Sequence, residues 1–436
     1  MTNPRNNFDR INIGLIGYGV VGQGVAQILK KNKSVYKEKY GADFHLLAVC
    51  DRSIHKKSTA GMGAVKRTKN FNDILDDPKI DLVIELIGGK QPAKQIVERA
   101  LKNGKDVITA NKALIANHGL ELFKLAQEHG RHIYFESAVG AGIPIIKTIS
   151  ETIAGNSFKG LYGIINGTCN FILDEMTTRH CSFAEALKDA QARGYAESDP
   201  TLDVNGMDTA HKLAILTFLA FGKMLPVKLI YTEGITDISH IDITYAESLD
   251  LSIKLLAIAK ESKGNLEVRV HPTLISKSHP LSTVHGIFNA FYLNTEPLGN
   301  VMISGEGAGQ MAAASGVIAD LINSVNAPNN PLYCNRYSQA KGIRLKTIDH
   351  IETKFYIRIL AADKPGVLSQ VTGILGRAGI GINSVTQQAH DLDLKAVPVI
   401  MLTDYTTEKA LRSALNKIEK LASVKSKPVA IRMEKL

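Results

Sequence analysis

The chain has 436 residues, of which 44% are hydrophobic and 22% are charged, a composition typical of folded globular proteins. Lys and Arg total 52 and Asp and Glu total 42, which gives a formal net charge of +10. These basic residues are spread along the chain without the block that would indicate nucleic-acid binding. At about 150 residues per domain, the length predicts roughly three domains.

The cysteines indicate a reducing environment. Cys50, Cys169, Cys181 and Cys334 form no CxxC pair, so reduced thiols are expected rather than disulfides or a zinc site. The first ten residues are polar, and no apolar stretch approaches the roughly 18 residues that a membrane span needs. We expect a cytoplasmic protein with no membrane partner and no nucleic-acid partner.

Strands and helices alternate in the first part of the chain. Strands are predicted at residues 11–16, 44–50, 81–87, 106–109 and 132–135, with helices ending near residue 31 and at 92–102 and 113–128. Such alternation is typical of a parallel sheet covered by helices on both faces. We predict an α/β dinucleotide-binding domain over residues 1–151, completed by about 303–345, where a Gly/Ala-rich loop precedes a helix that packs back on this domain.

The remaining chain indicates two further domains. Residues 152–302 mix helical and strand-like pieces without a βα rhythm, which predicts an α+β domain. A third unit at residues 353–436 has predicted strands at 355–360 and 382–388, helices at 367–378 and 407–418, and two further strands.

A glycine-rich turn lies between the first strand and the first helix. It consists of Gly17, Tyr18, Gly19, Val20, Val21 and Gly22. In this GxGxxG pattern, Gly17 permits a tight turn, Gly19 lets the backbone approach a pyrophosphate, and Gly22 allows close packing of helix and strand. Free N–H groups at the helix start suit phosphate oxygens. The context predicts binding of NAD or NADP, and the alternative is a structural turn without a ligand.

The residues that follow the second predicted strand do not decide between NAD and NADP. Asp51 lies 51 − 22 = 29 positions after the last glycine, against a usual gap of about 20, so residues 31–41 look like an insertion. An acid here favours the 2′-hydroxyl of NAD. Arg52, Lys56 and Lys57 follow and would suit the 2′-phosphate of NADP, unless they are solvated surface charges.

Acidic residues and one lysine cluster in a short segment. Glu197, Asp199, Asp203 and Asp208 precede Lys212, and Asp208 and Lys212 are four positions apart on one face of a predicted helix. Such a pair is commonly a surface salt bridge worth little. The apolar run at residues 213–221 predicts a largely buried helix, however, and a buried Asp–Lys pair points to function.

Together these motifs resemble the homoserine dehydrogenases, in the monofunctional form with a C-terminal ACT domain. The resemblance covers essentially the whole chain. Besides the glycine turn, it is carried by TANK at 109–112, ESAVGAGIP at 136–144, NGTCN at 166–170, the segment 194–212 and the segment 305–321. It implies a Rossmann-type domain, an α+β catalytic and dimerisation domain, and a ferredoxin-like ACT domain. It further implies NAD(P)-dependent interconversion of L-homoserine and L-aspartate 4-semialdehyde, in threonine, methionine and isoleucine biosynthesis.

The resemblance also assigns site residues. Lys212 would donate the proton, Glu197 and Asp208 would bind the substrate, and Lys112 would lie near nicotinamide and substrate. A carbonyl that accepts hydride develops negative charge, which an ammonium group stabilises. Alternatively, Lys212 anchors the substrate and a water relays the proton. The implied cofactor contacts are Gly17, Gly19, Val20, Val21, Gly22, Arg52, Thr109, Lys112, Gly194 and Gly309.

A monovalent cation, sodium, is a further implication of the resemblance. The ligands would be Glu136 and the carbonyls of Val139, Ala141 and Ile143, which form a plausible hard-oxygen shell with a structural role. The alternative is a Gly/Pro loop between domains.

The ACT segment implies a regulator. Residues 363–368 read DKPGVL, and the helix start after Gly366 suits a carboxylate, with Asp363 and Asn383 nearby in the motif. The resemblance implies inhibition by L-threonine bound between ACT domains of a homodimer or homotetramer, abolished by truncation near Ile351. The alternative is a dimerisation unit without a ligand.

The sequence departs from the family pattern in three places. Cys169 stands where the family usually has Thr or Ser. Cys50 replaces a frequent arginine, which weakens the case for NADP. Residues 311–314 replace a Pro-Thr-Ala-containing stretch, which is expected to change the cofactor-side loop. His271, His279 and His285 have no common helical spacing, and the two His-Pro pairs predict turns. We do not expect these histidines to bind a metal.

Overall fold

A computed structural model describes residues 9–57, 65–326, 342–387 and 396–436. Cys334 and Gln388 lie outside the described residues, as does most of the loop predicted between residues 326 and 344.

The strands are β1 (Asp9–Ile16), β2 (Ala42–Cys50), β3 (Lys66–Thr68), β4 (Leu82–Glu85), β5 (Asp106–Thr109), β6 (Ile133–Tyr134), β7 (Ser157–Ile164), β8 (Tyr231–Thr232), β9 (Leu251–Ser262), β10 (Asn265–Ser276), β11 (Phe288–Glu296), β12 (Gly299–Glu306), β13 (Arg344–Leu345), β14 (Glu352–Ala361), β15 (Ile382–Gln387), β16 (Val397–Thr403), β17 (Thr406–Thr407) and β18 (Val429–Met433).

The α-helices are α1 (Val20–Lys31), α2 (Lys33–Tyr40), α3 (Asn72–Leu75), α4 (Ala93–Lys102), α5 (Lys112–Glu128), α6 (Ser137–Gly140), α7 (Ile145–Lys147), α8 (Gly167–Arg179), α9 (Phe183–Ala192), α10 (Thr201–Val204), α11 (Met207–Phe221), α12 (His240–Ser248), α13 (Gln310–Asn326), α14 (Val367–Arg377) and α15 (Glu408–Ile418). Short 3-10 segments lie at Ile54–Lys56, Val227–Leu229, Pro280–Thr283 and Ile348–His350, and a π-helical turn at Thr148–Thr152.

The chain divides into two compact units. The first contains Met1–Lys159, His211–Ile230 and Phe288–Lys341, and the second contains Gly160–Ala210, Tyr231–Ile287 and Gly342–Leu436.

A parallel sheet forms the centre of the first unit. Its six strands have the order β3-β2-β1-β4-β5-β6, which is the doubly wound order of dinucleotide-binding folds. Ile13 and Leu15 of β1 are fully buried because helices cover both faces of a parallel sheet. The predicted strands and helices of this region are confirmed with boundary shifts of a few residues.

Helix α13 belongs to the same core, as the Gly/Ala-rich segment predicted. Val317 and Leu321 of α13 are buried in one cluster with Val25 of α1. A Cβ at Gly24 would lie 3.0 Å from the Ala314 Cβ, so the two helices approach closely at this glycine.

Strand β3 and helix α2 are among the elements of the first unit that were not predicted. Strand β3 has only three residues, two of them exposed. Helix α2 fills the predicted insertion, and Tyr36 anchors it by an edge-to-face contact with Phe44 at 5.5 Å between ring centroids. Because only one residue of α2 is buried, its sequence has no apolar periodicity that would predict a helix.

The C-terminal part of the second unit has a β-α-β-β-α-β order, β14-α14-β15-β16-α15-β18. Its strands lie in the antiparallel order β18-β14-β16-β15, which is the ferredoxin-like arrangement. The predicted elements of this module are confirmed. Strand β18 also pairs in parallel with β10, at Thr273 with Arg432 and Leu274 with Met433. The module therefore shares its sheet with β10 and β9 of the same unit.

The turn predicted at His271-Pro272 is wrong, because both residues lie in the middle of β10. On one edge, β10 pairs with β8 up to Val270 and with β18 from Thr273. Pro272 falls in the gap between these two partners, where its missing N–H removes no bond to either strand. The other pair, His279-Pro280, does begin a short 3-10 turn.

Candidate active site

The glycine turn after β1 presents backbone N–H groups. Gly17 has φ of 100°, and a Cβ there would lie 2.6 Å from the Leu86 carbonyl carbon, so only glycine fits. Its N–H donates to the Cys50 carbonyl at 2.9 Å. Helix α1 begins at Val20, which is 66% exposed, and Gly19 has open space beside it. An uncapped helix start next to open space suits a phosphate.

A second glycine loop lies beside the first. Gly309 has φ of 116° and immediately precedes α13. The Gln310 side chain donates to the Val20 carbonyl at 2.9 Å, which connects the start of α13 to the start of α1. Gly309 and the predicted pyrophosphate loop therefore lie in one region of the first unit.

The carboxyl edge of the parallel sheet carries Thr109 and Lys112. Thr109 Oγ1 donates to Glu85 Oε2 at 2.7 Å and accepts from the Asn111 N–H at 3.0 Å. The Asn111 side chain caps α5 by accepting from the Leu114 N–H at 3.0 Å, and the half-buried Lys112 is the first residue of that helix. Sequence analysis missed Glu85, whose pKa burial raises despite these hydrogen bonds.

Asp51 is already engaged by protein groups. Its carboxylate accepts from the Tyr18 N–H at 3.0 Å and the Ser53 N–H at 2.8 Å, and forms an ion pair with Lys57 at 2.7 Å. Burial raises the pKa of Asp51, but these partners outweigh it and lower the pKa to about 2. Arg52 and Lys56 are exposed beside it.

In the second unit, Asn166 brings two of the clustered acids together. Its side-chain oxygen caps α8 through the Cys169 N–H at 2.8 Å, and its amide donates to Asp203 Oδ1 at 2.7 Å and Asp208 Oδ2 at 3.0 Å. Sequence analysis assigned Asn166 no role, although an asparagine before a helix is a recognisable N-cap. The Cys169 thiol donates to the Asp203 carbonyl at 3.2 Å, so it has a structural contact.

Helix α11 carries Asp208 and Lys212 one turn apart, as predicted. Both are only 8% exposed, and Ala210, Leu213 and Leu216 are fully buried. The pair is therefore not a surface salt bridge.

Gly194 and Glu197 lie on the exposed segment between α9 and α10. Gly194 has φ of 74°, which glycine adopts without strain. The Gln191 side chain donates to the backbone carbonyl of Glu197 at 3.2 Å. Glu197 itself is exposed.

The residues of the predicted cation site are buried. Glu136 accepts from the N–H groups of Ile146 at 2.8 Å and Lys147 at 2.9 Å, and burial raises its pKa to about 7. Its own N–H donates to Asp320, a second buried carboxyl that sequence analysis missed. Val139, Ala141 and Ile143 are buried on the following turn, where Ala141 has φ of 53°. A carboxylate with backbone carbonyls in a buried turn is chemically compatible with a monovalent cation.

The predicted effector residues lie at one end of the ACT module. Gly366 is the N-cap of α14 with φ of 86°, and no described side chain caps that helix start. Asp363 is exposed and accepts from the Gln387 amide at 3.4 Å. Asn383 is exposed where the β15–β16 register shifts between Ile382 and Ser384.

The three histidines have protein partners. His271 is fully buried, accepts from Arg269 Nε at 3.0 Å, and has a pKa that burial holds below its ordinary value. His279 accepts from the Leu281 N–H, and His285 contacts Asp174 at 2.7 Å. Within the described ranges no cluster of metal-ligating side chains is found. Among the same residues, no helix is both long enough and apolar enough to cross a bilayer.

These features define a dinucleotide-dependent oxidoreductase with a C-terminal ACT module. Family models match in the same order: a homoserine dehydrogenase NAD-binding domain at residues 17–136, homoserine dehydrogenase at 144–322, and an ACT domain at 355–420. The chain is 40% identical to the homoserine dehydrogenase of Pseudomonas aeruginosa, over 98% of this chain and 99% of that one. The Neisseria gonorrhoeae enzyme is 38% identical over the same shares. The chain therefore belongs to the homoserine dehydrogenase family, which confirms the resemblance and the predicted fold class.

The chain is also similar to solved structures of homoserine dehydrogenases. A homoserine dehydrogenase from Thiobacillus denitrificans matches with a TM-score of 0.90 at 39% identity, over 98% of both chains. A hyperthermophilic archaeal homoserine dehydrogenase in complex with NADPH matches with a TM-score of 0.62 at 27% identity, over 72% of this chain and 97% of that one.

Proposed function

We propose that this chain catalyses the NAD(P)-dependent interconversion of L-homoserine and L-aspartate 4-semialdehyde, and serves threonine, methionine and isoleucine biosynthesis. The observation that carries this proposal is the buried Asp208–Lys212 pair on α11, in a chain that also has the uncapped glycine turn of a dinucleotide site. The functional domains are proposed at residues 1–151 with about 303–345, at 152–302, and at 353–436.

In the reducing direction, a bound nicotinamide coenzyme would supply a hydride to the aldehyde carbon, and the Lys212 ammonium would give a proton to the aldehyde oxygen. Charge that develops on that oxygen is stabilised most when the donor is already in place and shielded from water. Asp208, one turn before Lys212 on α11, supplies a negative charge on the same helix face. Glu197 and Asp208 bind the substrate, whose α-ammonium needs an acidic partner. Lys112 acts beside the nicotinamide, on a helix start that Asn111 and Thr109 hold.

NADP is the proposed preferred coenzyme, with NAD as the alternative. An acid after β2 selects NAD when its oxygens are available to the ribose 2′-hydroxyl. Here the Asp51 carboxylate is neutralised by Lys57 and accepts from two backbone N–H groups, while Arg52 and Lys56 remain exposed. This charge balance suits a 2′-phosphate.

A sodium ion at Glu136, Val139, Ala141 and Ile143 is proposed with a structural role. Glu136 and Asp320 are both buried, the Asp320 carboxylate accepts from the Glu136 backbone N–H at 2.9 Å, and a cation would offset the charge of these acids. The ion takes no part in the hydride or proton steps proposed here.

L-Threonine is the proposed effector of the ACT module, at Asp363, Gly366 and Asn383. The uncapped N–H groups at the start of α14 suit its carboxylate, and the exposed Asn383 amide suits its polar atoms. We further propose a homodimer or homotetramer that pairs ACT modules.

The deciding experiment measures L-homoserine oxidation with NAD and NADP in parallel, followed by the absorbance of the reduced coenzyme. Turnover with homoserine, higher kcat/KM with NADP, and loss of turnover without homoserine are expected. Faster turnover of another hydroxy acid or amino alcohol would show a different dehydrogenase of an amino-acid-derived substrate. An absence of turnover with both coenzymes would overturn the proposal.

A further inference from the structure

The last strand of the ACT module carries a buried guanidinium. Arg432 of β18 has a side chain that is only 4% exposed. Its Nε and Nη2 donate to Glu408 at 2.9 and 2.6 Å, and its Nη1 donates to Glu233 Oε2 at 2.8 Å. Nη2 also lies 3.0 Å from the Tyr231 hydroxyl. Arg432 thus connects the ACT module to the segment that begins at β8.

This connection is strongly ionic. Burial opposes the charge on Arg432, but Glu233 and Glu408 outweigh it and keep its pKa above the ordinary value. Glu408 is buried with Arg432, so removing Arg432 would take its closest counter-charge away, which is costly. The Glu233 side chain is 37% exposed and is held on the Arg432 side by its 2.8 Å bond from Nη1.

On its other side, the segment that follows β8 packs directly against the turn before α11. A Cβ at Gly234 would overlap the Val204 carbonyl oxygen and come within 2.7 Å of the Asn205 Cα. The Ile235 N–H donates to the Val204 carbonyl at 2.9 Å. A Cβ at Gly206 would lie 3.0 Å from Thr232 Cγ2. This segment and the turn at residues 204–206 are therefore in direct contact, without space for a further side-chain atom at Gly234.

That turn leads into the proposed substrate site. Asp203 begins it and Asp208 follows it on α11, and Asn166 donates to both carboxylates. A shift of the turn would move Asp208 relative to Asn166, because packed groups this close move together.

We propose that Arg432 is a positioning residue for Asp208, acting through Glu233 and the contact of Gly234 with the turn at residues 204–206. The inference rests on the substrate-binding role proposed above for Asp208. It makes the ACT module part of what shapes the substrate site, independently of any effector. A ligand that displaced β18 would change substrate affinity by this route.

The test uses Glu233→Gln, Arg432→Gln and their double variant in the full-length chain. The KM for L-homoserine is expected to rise about fivefold or more in each single variant, the scale of coupling through a packed network. The KM for the coenzyme is expected to stay within about twofold, because the glycine turn at residues 17–22 and Gly309 belong to the other compact unit. The double variant should resemble the single variants, since both remove one shared bond.

Arg412→Gln is the matched control. Arg412 also approaches Glu408, at 3.4 Å, and its guanidinium lies 5.9 Å from the Tyr231 ring centroid, but its side chain is 45% exposed. Among the described residues it forms no hydrogen bond or ion pair with Glu233, so the homoserine KM should stay unchanged.

Three results would overturn the inference: an unchanged homoserine KM in folded Glu233→Gln, a parallel rise in the coenzyme KM, or the same effect in Arg412→Gln. If Arg432→Gln fails to fold, the homoserine KM of Glu233→Gln and Gly234→Ala tests the inference instead. The added Cβ in Gly234→Ala would overlap the turn at residues 204–206. Wild-type protein without homoserine turnover would overturn the proposed function instead. Wild-type activity with unaltered variants overturns only this inference.

Discussion

The amide nitrogen of Asn166 lies 3.0 Å from Oδ2 of Asp208. The same amide reaches Asp203 at 2.7 Å, and the side-chain oxygen caps α8. A neutral amide fixes the two carboxylates by hydrogen bonds and brings no counter-charge to them. Asn166 therefore orients Asp208 before substrate binds.

Replacing Asn166 by Ala is expected to lower kcat/KM for homoserine by roughly tenfold to a hundredfold, because small displacements of positioning groups cost about this much. Loss of the helix cap should also cost about 1 kcal/mol of stability. Steady-state kinetics and urea unfolding measure the two effects. Asn265→Ala, on an exposed residue of β10, is the control. Wild-type kcat/KM in Asn166→Ala would contradict the orienting role.

Lys212→Ala is expected to lower kcat by about a hundredfold to ten-thousandfold, the range for loss of a general acid. Coenzyme affinity, measured by the fluorescence of the reduced nicotinamide, should remain close to that of the wild type. Lys228→Ala removes an exposed lysine in the 3-10 turn that follows α11 and should leave kcat unchanged. If Lys212→Ala kept nearly full turnover, direct proton donation by Lys212 would be wrong, and the anchor role with a water relay would remain.

Much of the fold could be predicted because the signals are local. Strands β1, β4 and β5 are short apolar runs with turn residues after them, and the glycine turn lies where its pattern requires a strand and a helix. The Asp208–Lys212 spacing also lies within one helix. In contrast, α2 has a single buried residue, and Pro272 fits a strand only because two partner strands leave a gap there.

The contacts that complete the site are not local. The bond from Asn166 to Asp208 spans 42 positions, and the bond from Arg432 to Glu233 spans 199. Neither pair has a spacing that periodicity can reveal, because each contact depends on which elements pack together in the folded chain. The Asn166 cap was the one local signal available.

Asn383→Ala is expected to weaken threonine inhibition by about tenfold or more, the scale of losing a hydrogen bond to a charged ligand group. Activity without threonine should be unchanged, since Asn383 is exposed on β15. Inhibition curves at fixed homoserine measure the shift, with Ser369→Ala, an exposed residue of α14, as the control. Wild-type protein that ignores millimolar threonine and related amino acids would contradict the effector proposal.

A substitution tests this regulation better than truncation near Ile351. Truncation removes β18, which pairs with β10, and Glu434, which forms an ion pair with the fully buried Arg269. It would remove one of the two carboxylates, Glu434 and Glu267, that pair with this buried guanidinium, which is costly. We expect the shortened chain to melt at a lower temperature than the full chain, so a loss of inhibition in it would not isolate the effector site.

Lys254 predicts how stability depends on pH. It is 3% exposed, donates to the Val284 carbonyl at 2.7 Å, and has a pKa that burial lowers to about 8, with Asp174 opposing the shift. Between pH 8 and an unfolded-state pKa of about 10.4, the unfolded chain binds a proton that the folded chain does not. The Lys254 contribution to the free energy of unfolding should therefore rise with pH across this window.

Urea unfolding of the wild type and Lys254→Met at pH 8 and pH 10 should show a difference of roughly 1–3 kcal/mol in this pH response. Lys260→Met, on the same strand but half-exposed, should retain the wild-type response. A wild-type response in Lys254→Met would show that the buried amine stays charged when folded.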